Sequence, residues 1–330
     1  MCSPSKVLFT GKGLRYNSNF LKIIYFVSII LPSFSNLYMK RFLTLFLLLF
    51  SAFGIAQNKT SSYNRLQPAY KLKLSGEHQG ILNLNNHYSL SEDISTSVKC
   101  IGNVLTTPLR WNGKDAIIAG GFVLGTAGSF LLDDEVRDLV QRNKSKLNTD
   151  LLVNAGHYYS TVLYVGPAAV LFYFSGAAFN NSWIRKTGQM LIEAVVITGI
   201  IQVPLSITIG RARPFFNEGN NSFKLFAGTD DNRASFFSGH SMIVFSFSTI
   251  LSNQINNTWA SAGLYTLAAL GPFARLYKDK HWFSDTVLGS ALGFFVGRSI
   301  LKWHNENEND SESDLSIIPF GNRISLLWNF

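Results

Sequence analysis

The sequence predicts an all-α fold, a bundle of about six apolar helices embedded in a membrane. Three observations carry this. Charged residues make up only 15% of the 330 and hydrophobic ones 47%, including 27 phenylalanines. Apolar stretches follow one another at about 116–132, 151–178, 188–209, 239–254, 259–274 and 284–302, several of them without a charge. Their glycines and alanines recur at the spacing that lets helices touch closely, as in "AIIAGGFVLGTAGSF" from Ala116 to Phe130. Some runs fall short of the roughly 20 residues that a full span needs. Charged breaks at Asp133-Asp134-Glu135, at Arg185-Lys186 and in the 211–234 loop separate the helices, and no internal repeat is present.

The flanks read differently. "MKRFLTLFLLLFSAFGIAQ" from Met39 has two basic residues, a short apolar core and small residues before Gln57, the pattern of a secretory signal. Residues 1–56 are therefore expected to be an upstream extension plus a signal peptide, with the true start at Met39. Residues 57–112 are a polar lead-in with little periodicity, and 113–303 form the helical domain. Residues 304–330 begin with "HNENENDSESD", an acidic solvated linker, and end in a tail read as a docked strand or an amphipathic element.

The net charge of +9 does not mark a nucleic-acid binder. Six Lys/Arg and no acid fall in 1–56, which leaves 23 Lys/Arg against 20 Asp/Glu, or +3, for the rest. Cys2 and Cys100 give no disulfide framework and no metal-binding spacing, so no cofactor and no metal are expected.

Three short segments carry chemistry. In "GRARPFF", Gly210 to Phe216, two arginines stand where Pro214 ends a helix; a guanidinium fork matches phosphate oxygens, and snorkelling at a membrane edge is the plainer reading. In "SFFSGHSM", Ser235 to Met242, Ser238 is a good N-cap, and Gly239 lets backbone N–H groups approach an anion at a helix start. His240 would stand beside that anion, placed to donate a proton. In "ARLYKDKHWFSD", Ala274 to Asp285, Arg275 is a further phosphate-type donor. His281 and Asp285 are four apart and share one face of a helix, so that a carboxylate could fix the imidazole tautomer and leave its other nitrogen free.

Taken together and in this order, Arg-x-Arg-Pro, Ser-Gly-His and Arg-x5-His-x3-Asp resemble the signature of the type 2 phosphatidic acid phosphatase superfamily, which includes lipid phosphatases, bacterial acid phosphatases and vanadium haloperoxidases. The resemblance covers roughly residues 113–303. It implies a phosphatase with His281 as nucleophile through a phosphohistidine, Asp285 as its orienting partner and His240 as the acid for the leaving oxygen. Arg213 and Arg275, with Ser238, Gly239 and, in a supporting part, Arg211, would cradle the phosphate. It further implies metal-independent hydrolysis of a phosphomonoester or pyrophosphate on a phospholipid or polyprenyl phosphate, or on lipid A. The expected place is the inner membrane of a bacterial envelope with the site facing the periplasm, and no obligatory protein partner is implied.

The chain departs from the family pattern at three positions. Ser206 stands where the family has Lys, Phe237 replaces the Pro before Ser-Gly-His, and Ala274 replaces the Ser before Arg275. Losing one charge-assisted phosphate contact costs about 1.5–3 kcal/mol. Arg211, Lys278 and Lys280 are the cations that could compensate. Two other readings of the same residues are a soluble periplasmic acid phosphatase and a lipid-phosphate-binding envelope protein impaired in catalysis. A vanadium haloperoxidase is disfavoured by Ser206.

Overall fold

The apolar stretches all become helix, and the breaks between them are set by caps and bends. The computed structural model describes residues 89–144, 150–311, 315–320 and 323–328; the expected signal peptide and its upstream extension lie outside these. Helix α1, Leu90–Thr106, starts at Ser89, whose hydroxyl accepts the Glu92 N–H. Helix α2, Gly113–Phe130, opens with a capping box between Asn112 and Asp115. The acidic first turn of α3, Asp133–Asn143, suits the positive end of its dipole. The 151–178 stretch is two helices, α4 (Asp150–Ser160) and α5 (Val162–Ala178), bent by 58° where Thr161 turns extended.

Helix α6, Ser182–Ile209, ends at Gly210, whose φ of +58° and close approach to the Lys224 carbonyl leave no room for a side chain. Then come α7 (Gly239–Ile255), α8 (Thr258–Tyr277) and α9 (Phe283–Ser311). Two short strands, β1 (Leu315–Phe320) and β2 (Arg323–Trp328), close the described chain as an antiparallel pair with Leu315 opposite Trp328.

Helix α7 is central: α9, α8 and α6 all pack on it, while α4 covers α8 and α5 covers α6. Phe245, Tyr265 and Phe273 fill one core, and Ile197, Met242, Ile250 and Ile300 the other. The contact of α9 with α7 is backbone on backbone. A Cβ at Gly289 would lie 2.4 Å from the Ser238 carbonyl oxygen, one at Gly293 2.1 Å from that of Met242, and one at Gly297 2.9 Å from that of Ser246. This ladder of three glycines, spaced four residues apart, brings the helix that starts at Gly239 against the helix that starts at Phe283.

The bundle is longer than expected at both ends. The polar lead-in contains α1, whose inward positions are Asp93, Ser97, Cys100 and Val104. That stripe is half polar, with Asp93 accepting from Tyr173 at 2.7 Å and Ser97 donating to Glu193 at 2.8 Å, while the apolar positions Leu90, Ile94, Val98 and Leu105 are exposed. At the other end α9 runs eight residues into the acidic linker. His304 is buried there with its Nε2 2.9 Å from the Glu193 carboxylate, and Asn307 donates to the Trp303 carbonyl at 2.8 Å.

Among the described residues, α6 alone is long and apolar enough to cross a membrane; the bent pairs α2–α3 and α4–α5 pass the same measure only when each is taken together. Large apolar side chains on the outer faces of α2, α5 and α6 are exposed, including Ile117, Leu124, Leu163, Leu171 and Val203. Helices α7, α8 and α9, by contrast, lie mostly inside the bundle.

If the glycine ladder sets the fit of α7 on α9, Gly293→Ala should cost roughly 1–3 kcal/mol by overpacking, whereas Gly263→Ala, where a Cβ meets open space, should be neutral or stabilising. Chemical unfolding of the two variants beside the parent checks this, and equal stabilities would show that α9 can move aside without cost.

Candidate active site

The first motif splits its two arginines between different tasks. Leaving Gly210, the chain runs beside residues 222–224: Ala212 N–H donates to the Ser222 carbonyl at 2.9 Å, and Lys224 N–H to that of Gly210 at 3.0 Å. Arg211 is wholly buried and all five of its N–H groups are used. Nη1 donates to Asp285 at 2.7 Å and Ser284 at 2.8 Å, Nη2 to Asp133 at 2.7 Å and the Asn220 carbonyl at 2.7 Å, and Nε to that same carbonyl at 2.9 Å. Phe130 covers its face, 4.4 Å from the ring centre. Arg211 therefore has no donor left for a phosphate, and the role expected for it is corrected to that of a scaffold. The residue that sequence reading passed over is Asp133, whose other oxygen accepts the Ser284 N–H at 2.8 Å.

Arg213 lies at the site. Its Nε donates to the Asp231 carbonyl at 2.6 Å, Nη2 to the Asp231 carboxylate at 2.9 Å, and Nη1 to the Lys280 carbonyl at 3.3 Å, next to His281. Helix α3 also braces this loop: Arg137 grips the Asp279 carboxylate with two bonds of 2.9 and 2.8 Å.

His281 sits just before α9, not on it, so the expected helical pairing with Asp285 is not formed. Its Nδ1 lies 3.9 Å from the Asp285 carboxylate and 2.8 Å from the Ser235 carbonyl oxygen. A carbonyl can only accept, so Nδ1 carries the hydrogen and Nε2 holds the free lone pair. Asp285 acts one step behind: it accepts the Ser235 hydroxyl at 2.5 Å, the Trp282 N–H at 3.0 Å and Arg211, and its own carbonyl accepts the Ser238 N–H at 3.1 Å. The carboxylate thus holds the segment whose carbonyl orients the imidazole. Burial pushes the Asp285 carboxyl up while Arg211 pulls it back. Burial, with Arg213 beside it, holds His281 well below the usual histidine value, so the ring is neutral.

Ser238 caps α7: its hydroxyl oxygen accepts the Ser241 N–H at 3.3 Å and the Ser241 hydroxyl at 3.0 Å. Among the described residues no hydrogen bond is made by the N–H groups of Gly239 and His240, the two free donors of the helix start. The His240 ring centre is 6.3 Å from that of His281. Its Nε2 lies 3.2 Å from Arg275 Nη1, and since arginine can only donate, that nitrogen is an acceptor and the ring is neutral. Burial and the charges of Arg275 and Arg213 push His240 down to about 3.

Arg275 is 6% exposed, and its other terminal nitrogen contacts His157 Nδ1. Its Nε–H is buried without a partner, and among the described residues no carboxylate reaches it. Burial pushes it down to about 10, so it stays charged at neutral pH.

Ser206, in the place of the family Lys, is buried in the last turn of α6 and supplies no charge. Of the candidate compensating cations, Arg211 is spent. Lys280 leans on the Phe215 ring at 4.4 Å with Asp231 at 3.8 Å. The Lys278 charge acts on His240 and Arg275. The group of metal-ligating side chains found among the described residues is Cys100, Glu193 and His304, with ligand atoms within 4.8 Å of one another. Glu193 there already accepts from Ser97 and pairs with His304, and burial pushes the Cys100 thiol up, away from a thiolate.

The match to the PAP2 superfamily model runs from residue 189 to 309 and takes in all three motifs. This segment is similar to the PAP2 superfamily. A Lipid A 1-phosphatase of Porphyromonas gingivalis is 31% identical over 174 residues, 51% of this chain and 34% of that protein. The chain thus spans about a third of the length of the curated relative it matches. No solved structure matches it. The PAP2 segment contains Arg211, Arg213, His240, Arg275, His281 and Asp285, but Asp133, Arg137 and His157 come from outside it.

Two predictions follow from this geometry. Arg211→Met leaves Asp133 and Asp285 buried without their cation and should cost about 3–5 kcal/mol. Arg213→Met breaks a half-exposed pair worth about 1 kcal/mol or less and should mainly impair anion binding. Unfolding and binding measured on both variants separate the two roles; comparable stability loss in both would refute the division.

Secondly, an anion arriving beside His240 and His281 raises pKa values that the free site holds down, so binding takes up protons between about pH 3 and 6.5 and tightens as pH falls. Titration calorimetry with sulfate, repeated in buffers of different ionisation enthalpy, should show this uptake at pH 6 and a reduced uptake in His240→Gln. In the free protein the same depressed values make stability fall as pH drops below about 6.5, where the unfolded chain binds protons that the buried rings refuse.

Proposed function

We propose that this protein is a metal-independent lipid phosphatase working through a phosphohistidine. The observation that carries the reading is Arg275: a buried guanidinium that, among the described residues, no carboxylate reaches, with an unpartnered Nε–H and two neutral imidazoles for neighbours. A buried charge without a partner is costly, and an anionic ligand offsets that cost. Arg213 and the free N–H groups of Gly239 and His240 supply further donors around the same anion, while Ser238 serves mainly to hold the helix start in place.

In the first step His281 Nε2 attacks phosphorus and the bond from phosphorus to the leaving oxygen breaks. The phosphate draws Arg275 to its own oxygens and raises the pKa of His240, which takes up a proton from solvent as the anion binds and then gives it to the leaving oxygen. In the second step His240 takes a proton from water, whose oxygen attacks the phosphohistidine, releasing inorganic phosphate and restoring Nε2. The Ser235 carbonyl stabilises the imidazole as it gains positive charge, and the donors meet the charge on the equatorial oxygens. Asp285 is spent on Arg211, Ser235 and Trp282, so the negative charge in transit is met by cations of the chain.

The substrate class rests on the setting. The apolar outer faces of α2, α5 and α6 suit a bilayer, and the relative is named a lipid A 1-phosphatase. We therefore place the protein in the inner membrane with the site toward the periplasm, acting on a lipid phosphate, with lipid A 1-phosphate as the first substrate to try.

The test is phosphate release by detergent-purified protein in EDTA, from lipid A, phosphatidic acid, undecaprenyl pyrophosphate and a soluble aryl phosphate. Release that survives EDTA and falls by at least about 10³-fold in His281→Ala is expected. A soluble ester preferred over every lipid would overturn the lipid assignment. Tight lipid-phosphate binding without release would mean that the charge lost at Ser206 has left a binding protein.

A further inference from the structure

His157 is absent from the three motifs and lies on α4, outside the PAP2 segment, yet it touches Arg275. Resting on the phosphate-site reading above, we propose that His157 is a positioning residue: its Nδ1 accepts a hydrogen bond from Arg275 and so fixes the plane in which that guanidinium meets a phosphate oxygen.

The placement is built into the backbone. A Cβ at Gly156 would lie 2.0 Å from the Leu270 carbonyl oxygen, and one at Gly271 would lie 3.0 Å from the Ser160 Cβ. Helices α4 and α8 therefore touch main chain to main chain. His157 follows Gly156 directly, and Arg275 stands one turn beyond Gly271. The end of α4 is held as well: the Thr161 hydroxyl donates to the His157 carbonyl at 2.7 Å, at the bend into α5.

The chemistry of the pair explains why the partner is an imidazole. A guanidinium has only donors, so the His157 nitrogen that meets it must be the one with the lone pair. Nη2 is then held by His157 and Nη1 by His240, 3.2 Å away. Two corners fixed by neutral acceptors define the plane of the group and leave Nε–H pointing without a partner. A carboxylate in the place of His157 would orient Arg275 equally well, but it would cancel the charge and compete with the phosphate. A neutral acceptor orients the cation and leaves its charge for the ligand.

The test compares His157→Asn, whose side-chain oxygen can stand where Nδ1 stands, with His157→Leu, which removes the acceptor. His157→Phe, which keeps the ring shape, replaces the Leu variant if that one fails to fold. Purified full-length protein is titrated with inorganic phosphate, and lipid turnover is followed in parallel. The acceptor-less variant should bind phosphate about tenfold more weakly, the effect of misaligning one charge-assisted contact, and should lose kcat/KM by at least as much. His157→Asn should stay within about threefold of the parent, with melting temperatures similar throughout.

Parental phosphate affinity without the acceptor would overturn the proposal, as would Asn and Leu variants that fall together, since then ring shape and not the acceptor is what matters. If the parent binds phosphate and the variants rank as expected but no lipid is hydrolysed, the lipid phosphatase reading fails and the role of His157 stands. If the parent binds no phosphate, the cradle and the role of His157 both fall.

Discussion

Everything at the site hangs on one buried arginine. Arg211 joins Asp133 of α3, Asp285 and Ser284 of α9, and the Asn220 carbonyl of the long loop, with each of its five N–H groups bonded. It is a cation between two carboxylates, all three closed off from bulk solvent, the arrangement in which losing one member is most costly. Because Asp285 also fixes Ser235 and the Ser238 N–H, the same network sets where the His281 ring points and where α7 begins. The first and third motifs are thus connected through charge, and the second through hydrogen bonds to the carboxylate and the main-chain carbonyl of the same aspartate.

The site is divided between cations that are satisfied and cations that are not. Arg211 is neutralised inside the scaffold. Arg213 is half-compensated by Asp231, and Arg275 rests on two neutral rings. That gradient runs from structure toward function: the more completely a guanidinium is matched by protein oxygens, the less it can give a ligand. Both histidines are held neutral by burial and by the surrounding positive charge, as the proposed mechanism requires of a ring that attacks phosphorus and of one that gains its proton only when an anion is present.

Much of this was legible in the sequence, because the three motifs are short and chemically distinctive and stand at helix ends, where residue type has a local meaning. What sequence could not separate was Arg211 from Arg213. Both sit in "GRARP", and only partners 78 and 74 residues away, Asp133 and Asp285, decide that the first is scaffold. The four-residue spacing of His281 and Asp285 suggested a shared helical face, but α9 begins at Phe283 and the imidazole turned to a carbonyl instead. Asp133 reads as punctuation in the sequence because its partners, Arg211 and Ser284, lie far along the chain. His157 gave no signal, since one histidine on an apolar helix looks the same whether or not an arginine meets it. Helix α1 turns polar residues inward and leaves Leu90, Ile94, Val98 and Leu105 exposed, so its segment reads as a polar lead-in, and the last turns of α9 run through a sequence whose acidic residues read as a linker.

The glycine ladder on α9 has a further consequence. Where helices meet through long side chains, the gap between them can breathe as rotamers change. Here Gly289, Gly293 and Gly297 set main chain against main chain, so the separation of the two imidazoles is gauged by covalent geometry and van der Waals radii rather than by side chains that can rearrange. If the proposed bilayer setting holds, a membrane that changes in thickness or fluidity would press first on the outer helices, while the spacing between the two imidazoles stays like that of a machined part, indifferent to the softness of its housing.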